Sequence, residues 1–168
     1  MNTSYIIRQL DQNKRTFEQL LMVESSEEAL WKPQPNHWCL LQIACHLVDE
    51  EVEDFRTRIK TALNPALPFK PIDPEGWATS RNYMAQDYEA KVSEWLAERE
   101  NSLEWLRTLD NVNWQSSLSH PELGPLTAYH FLANWVAHDH IHIRQILKVK
   151  HAYLAHTSEQ DLSYAGKW

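Results

Sequence analysis

The chain has 168 residues, about one domain, and is long enough to bury a core without disulfide staples. Apolar residues make up 43% and charged residues 23%, with a formal net charge of -7 and no basic run, which disfavours nucleic acid and anionic membranes as partners. Three glycines are too few for the turns of a sandwich or a doubly wound sheet, so the composition favours helices with few connections.

The first helix is predicted from about Ser4 to Glu24, with Ile6, Leu10, Phe17, Leu20 and Leu21 on one stripe that Asn13 interrupts. The loop SSEEALWKPQPNHW follows, and its two prolines limit helix continuation. Asn36 is a plausible N-cap for a second helix over roughly His37 to Leu63. That helix is apolar on most sides at Leu40, Leu41, Ile43, Ala44 and Leu47, and continues through Val52, Phe55 and Ile59. NPALPFKPIDPEGW, with four prolines, reads as a loop long enough to form a lid or rim. A third helix is predicted from about Met84 to Leu109, its core face carrying Tyr88, Val92, Trp95, Leu96, Leu103 and Leu106. SHPELGP is a breaker-rich turn before a fourth helix, about Leu126 to His151, and the tail HTSEQDLSYAGKW is polar and expected on the surface. Four amphipathic helices with no strand pattern predict an all-α four-helix bundle, one domain over residues 1–168.

Eight tryptophans suit the gaps between such helices. Cys39 and Cys45 form no C-x-x-C motif and no disulfide framework, which fits a reducing compartment. MNTSYIIRQL lacks the basic start and apolar block of a signal peptide, and no apolar run approaches membrane-spanning length, so a soluble cytoplasmic protein is expected.

The chemistry concentrates in AHDHIHIRQ, residues 137–145. At about 100° per residue, His138 and His142 lie about 40° apart on one helix face, and Gln145 returns to within about 20° of His138. His140 sits about 160° from both and looks elsewhere. The stripe Phe131, Trp135, His138, His142, Gln145, Val149 has apolar ends and three polar groups in its middle. Burying each polar group without a partner costs a few kcal/mol. A divalent metal satisfies imidazoles spaced four apart. The alternatives are a surface groove or bonds to polar groups on facing helices. A tight metal site needs a third ligand, from His37, His46, His120, His130, His151, His156 or the carboxylates. His130 lies about 12 Å along the helix from His138, too far to share a metal. His120 sits in a turn and is expected to be exposed. On the second helix Gln42, His46 and Glu50 form a polar sector, which periodicity alone assigns to solvent. Cys45 adjoins His46 within an apolar run and reads as core. H-E-x-x-H, paired Glu-x-x-His, G-x-S-x-G and phosphate-cradling glycine loops are absent.

LWKPQPNHWCLLQIACHLVDEE and HPELGPLTAYHFLANWVAHDHIHIRQI, in this order, resemble the two signatures of the DinB/YfiT-like superfamily of metal-binding four-helix bundles. The resemblance covers most of the chain. It implies up-down-down-up connectivity, with the first and second helices joined by a long crossover. It implies a metal, zinc or nickel, held by His46, His138 and His142, which turns the polar sector of the second helix toward a pocket. It also implies a homodimer. Relatives include transferases that use low-molecular-weight thiols and metal-dependent hydrolases, so a metal-dependent enzyme acting on a small-molecule substrate is expected. The alternative is a non-catalytic metal-binding stress-response bundle. Three imidazoles leave a coordination position open, as in catalytic sites. Glu50 is the candidate general base or ligand-supporting group, Asp49 its backup, and Gln145 the group that would orient water or substrate.

Overall fold

The structure, a computed structural model, describes residues 2–64 and 66–166. Helix α1 (Thr3–Leu20) starts where the Asn2 side chain accepts from the Tyr5 amide. A short α2 (Ser26–Leu30), capped by Ser25, interrupts the connection to α3 (Leu40–Asp49). Cys39, not Asn36, is the residue before α3, and the Gln42 side chain accepts from its amide. Helix α3 does not run straight on. A π-helical turn, Glu50–Phe55, joins it to α4 (Arg56–Leu63), and together they make the second long rod.

The proline-rich segment contains a helix as well as loop. Asp73 caps α5 (Pro74–Ser80), and Pro74 occupies the first turn, where a missing N–H costs nothing. A 3₁₀ turn, Tyr83–Ala85, precedes α6 (Tyr88–Arg107), which Asp87 caps. Helix α7 (Ala128–Ser158), capped by Thr127, runs past His151 and takes in the start of the tail; a 3₁₀ turn, Leu162–Ala165, follows it. The expectation of no strands is corrected. β1 (Ser117–His120) and β2 (Gly124–Thr127) form an antiparallel hairpin with Ser117 opposite Thr127 and Leu118 opposite Leu126. Each strand is four residues, too short for alternation to stand out, and Gly124 at φ 73° closes the turn.

Two core clusters establish the direction of every rod. One holds Ile6 and Leu10 from the start of α1, Phe55 and Ile59 from the end of the second rod, Leu103 and Leu106 from the end of α6, and Phe131 and Trp135 from the start of α7. The other holds the opposite halves: Phe17 and Leu21, Leu40 and Ile43, Trp95, and Ile146 and Val149. The rods therefore run up, down, down, up, as the resemblance implied. Its placement of the crossover needs correction. The second and third rods are the parallel neighbours, so among the described residues it is 66–87 that return along the bundle. On the way, Trp77 and Tyr83 pack with Cys39, Leu41 and Cys45 on the outer face of α3. Among the described residues, no helix is long and apolar enough to cross a membrane.

Candidate metal centre

Three imidazoles meet between α3 and α7. His46 Nε2 lies 3.2 Å from His142 Nε2, and His142 Nε2 lies 3.0 Å from His138 Nε2. The ring centroids of His46 and His138 are 5.4 Å apart. The helical spacing of four aligns His138 and His142 on α7, and the antiparallel second rod brings His46 across to them. Phe55 and Trp38 hold the rings from either side, at 5.1 Å from His138 and 5.1 Å from His46. His140 is exposed on the far side, as its angle required.

Protonation states follow from burial. Desolvation, reinforced by the neighbouring rings, lowers His46 to about 3 and His138 to about 2. His142 is also lowered, by burial first, with Gln145 and Asp139 opposing. All three rings are neutral at pH 7. Gln145 Oε1 lies 2.7 Å from His142 Nδ1, and a carbonyl oxygen only accepts, so Nδ1 carries the proton. The lone pair of His142 Nε2 is thereby aimed at the other two rings. His46 Nδ1 is buried with no hydrogen-bond partner among the described residues.

A hydrogen-bonded cluster of three rings satisfies this geometry poorly. Two N–H groups would crowd one acceptor. A tetrahedral ion with nitrogen ligands at 2.0–2.1 Å separates those ligands by about 3.3 Å, close to the spacings seen here. His46, His138 and His142 are also a group whose ligand atoms all lie within 4.8 Å of one another. The neutral imidazole donor set fits a divalent transition-metal ion.

The other predicted residues divide. Glu50 is buried, 5% exposed, and its Oε1 has no hydrogen-bond partner among the described residues. Burial first, then the nearby Asp54 carboxylate, raises its pKa. Asp54 is raised by burial too, but Arg58 donates to it at 2.8 Å and favours its ionised form, so the pair's shared proton sits on Glu50. Asp49 is engaged elsewhere: Tyr83 donates to it at 2.5 Å and Arg81 pairs with it at 2.8 Å, on the side facing the crossover. His120 accepts from the amides of Glu122 and Leu123 in the hairpin turn and is half-buried rather than exposed. His156 stacks on Trp31. Cys45 is core, its thiol pushed up to about 12 by burial.

A cleft of about 690 Å³ opens beside the imidazoles. His46, His142 and Gln145 line it, with Trp38 and His37 from the first long connection, Glu75 from α5, and Lys148, Val149 and His151 from α7. The crossover thus supplies part of the rim, as its length suggested.

Sequence reasoning missed a buried charged cluster beside this site. Arg99 on α6 makes two hydrogen bonds at 2.9 Å to Glu51 and two at 2.8 Å to Asp139. Asn13 donates to Asp139 at 3.0 Å, and Trp135 Nε1 donates to Glu51 at 3.1 Å. Asn13 was visible as a polar break in an apolar stripe. Glu51 and Asp139 sit where charged residues ordinarily face water.

No functionally curated protein matches the sequence. Among solved structures, YfiT from Bacillus subtilis shares the fold with a TM-score of 0.77 at 20% identity, over 89% of this chain and 86% of that chain. It is described as a probable metal-dependent hydrolase with an unusual four-helix bundle topology. Residues 9–146 match the DinB superfamily, most of the chain and both histidine-bearing helices. This four-helix bundle belongs to the DinB superfamily.

Proposed function

We propose that the chain is a single-domain, metal-dependent enzyme that holds a divalent ion on His46, His138 and His142 and acts on a small molecule. The observation that carries this reading is the meeting of three neutral imidazoles at the wall of an open cleft. A structural site would be closed by a fourth protein ligand, whereas this one faces space for a substrate. When bound, the ion would supply Lewis acidity, acidifying a water or thiol and polarising a carbonyl.

The chain's own residues have distinct tasks. Gln145 holds His142 in the tautomer that presents Nε2. Glu50, one helical turn from His46, stores a proton in a dry setting and exchanges it with the reacting group. Trp38 and Val149 give the substrate an apolar wall, and Lys148 and Glu75 give it charged ends. Hydrolysis is the favoured reaction because YfiT, of the same fold, is described as a probable hydrolase. Transfer to a low-molecular-weight thiol uses the same site with the thiol in place of water.

Elemental analysis of untagged protein tests the reading, with His138→Ala beside the wild type. We expect close to one zinc or nickel per chain in the wild type and at least a tenfold loss in the variant, which removes one of three ligands. Activated esters, and an electrophile with added thiols, then separate hydrolase from transferase. If chelation collapses the fold and the loaded protein turns over none of these probes, the metal serves stability alone and the enzyme reading is wrong.

A further inference from the structure

The Glu51–Arg99–Asp139 cluster carries more charge than its own contacts require. Two carboxylates and one guanidinium sum to -1, and all three side chains are at most 1% exposed. Among the described residues, Arg99 is the only cation paired with either carboxylate. Every N–H of Arg99 is oriented by this arrangement: Nε and Nη2 to Glu51, Nη1 and Nη2 to Asp139, and Nη1 also to the Leu10 carbonyl at 3.4 Å. Trp95 and Trp135 flank the guanidinium, with centroids 4.9 Å and 5.6 Å from Arg99 Cζ. An excess buried anion, away from water, destabilises a fold unless something of opposite sign lies near.

The imidazole site is that neighbour. Asp139 follows His138 directly on α7, and Glu51 follows Glu50. Trp135, which donates to Glu51, stacks on Phe55 at 5.6 Å, and Phe55 lies 5.1 Å from the His138 ring. Three neutral imidazoles cancel none of a dication's charge, whereas the cluster is joined to them through the stacked Trp135 and Phe55 rings and through Asp139, next to His138.

Building on the proposed metal site, we infer that Glu51 and Asp139 are positioning residues that supply, through space, the negative charge an all-histidine site lacks. The carboxylates tighten metal binding without touching the ion. Arg99 holds them in place and limits the excess to one charge. Its own positive charge faces His138 and opposes the effect, which is why two carboxylates are needed. Keeping the anions out of the coordination sphere leaves an open position for substrate.

The test is zinc affinity, measured by competition with a chromophoric chelator on the metal-free protein. Glu51→Gln and Asp139→Asn each remove the excess charge while leaving Arg99 one carboxylate. Each is expected to weaken zinc binding about tenfold or more while keeping a cooperative unfolding transition. Glu100→Gln, which removes a surface carboxylate paired with Lys14, is expected to leave affinity unchanged. A purely structural cluster would instead lower stability and leave affinity within twofold of wild type, and that result overturns the inference alone. If neither variant folds, the cluster is structural and the inference fails. If the wild type binds no zinc or nickel, the inference and the proposed function fall together.

Discussion

At the scale of single residues, the site is built from side chains held away from their ordinary ionisation. His46 and His138 have folded pKa values of about 3 and about 2, against about 6.5 in the unfolded chain. Between those limits the unfolded chain binds protons that the fold refuses. Stability is therefore complete above pH 6.5 and is lost as pH falls toward 3. His46 and His138 each contribute about 1.4 kcal/mol per pH unit in that window. The Glu50–Asp54 pair works the other way: with Glu50 raised to about 8, the fold gains stability as pH falls through that range, which offsets most of what His46 and His138 lose by pH 5. Chelator-treated protein is thus expected to be about 1 kcal/mol less stable at pH 5 than at pH 7.5. Urea unfolding at the two pH values checks this, and a higher midpoint at pH 5 would mean that the imidazoles are solvated.

At the scale of elements, the crossover is the piece whose attachment can be separated from the bundle. Arg81 pairs with Asp49 at 2.8 Å and Glu53 at 2.6 Å, and its guanidinium lies 4.1 Å from the Trp77 ring centroid. These contacts pin α5 against the second rod at its π-helical turn. The ion pairs are partly exposed and the cation–π contact is modest, so Arg81→Ala is expected to cost about 1 kcal/mol of local opening. That corresponds to roughly fivefold faster proteolysis within residues 66–82, with metal content unchanged. Cleavage at the wild-type rate would show that α5 is held by Trp77 and Tyr83 burial alone. Helix α5 could have been read from Asp73-Pro74-Glu75, a cap, a first-turn proline and an acid in order. The density of prolines around it hid that signal. The π-helical turn left no pattern to read, because extending a 3.6-residue period through Glu50–Phe55 assumes the regularity that the turn breaks.

At the scale of the whole molecule, one buried network joins all four rods: Asn13 on α1, Glu51 on the second rod, Arg99 on α6 and Asp139 on α7. Arg99→Met would strand two carboxylates in the core and is expected to cost about 3–5 kcal/mol or more, a large fraction of a typical domain's stability. Replacing the cluster together, as Glu51→Met, Arg99→Leu and Asp139→Leu, removes the buried charge and is expected to restore a cooperative thermal transition. Circular dichroism melts of both variants check this. A single variant that melts like wild type would mean that water reaches the cluster. The sequence by itself determined four helical rods, the stripes on which they pack, and the pairing of His138 with His142. Each of these depends on the turn of one helix, which local spacing dictates. That His46 joins them was implied by resemblance to a family, against a periodicity that placed it toward solvent. Only the tertiary structure decided that Glu51, Arg99 and Asp139 lie inside, and that the crossover follows the second rod. The physical reason is that a charged side chain is buried only when partners from other helices pair with it or hydrogen-bond to it. Those partners are up to 126 positions away along the chain, and folding alone brings them together.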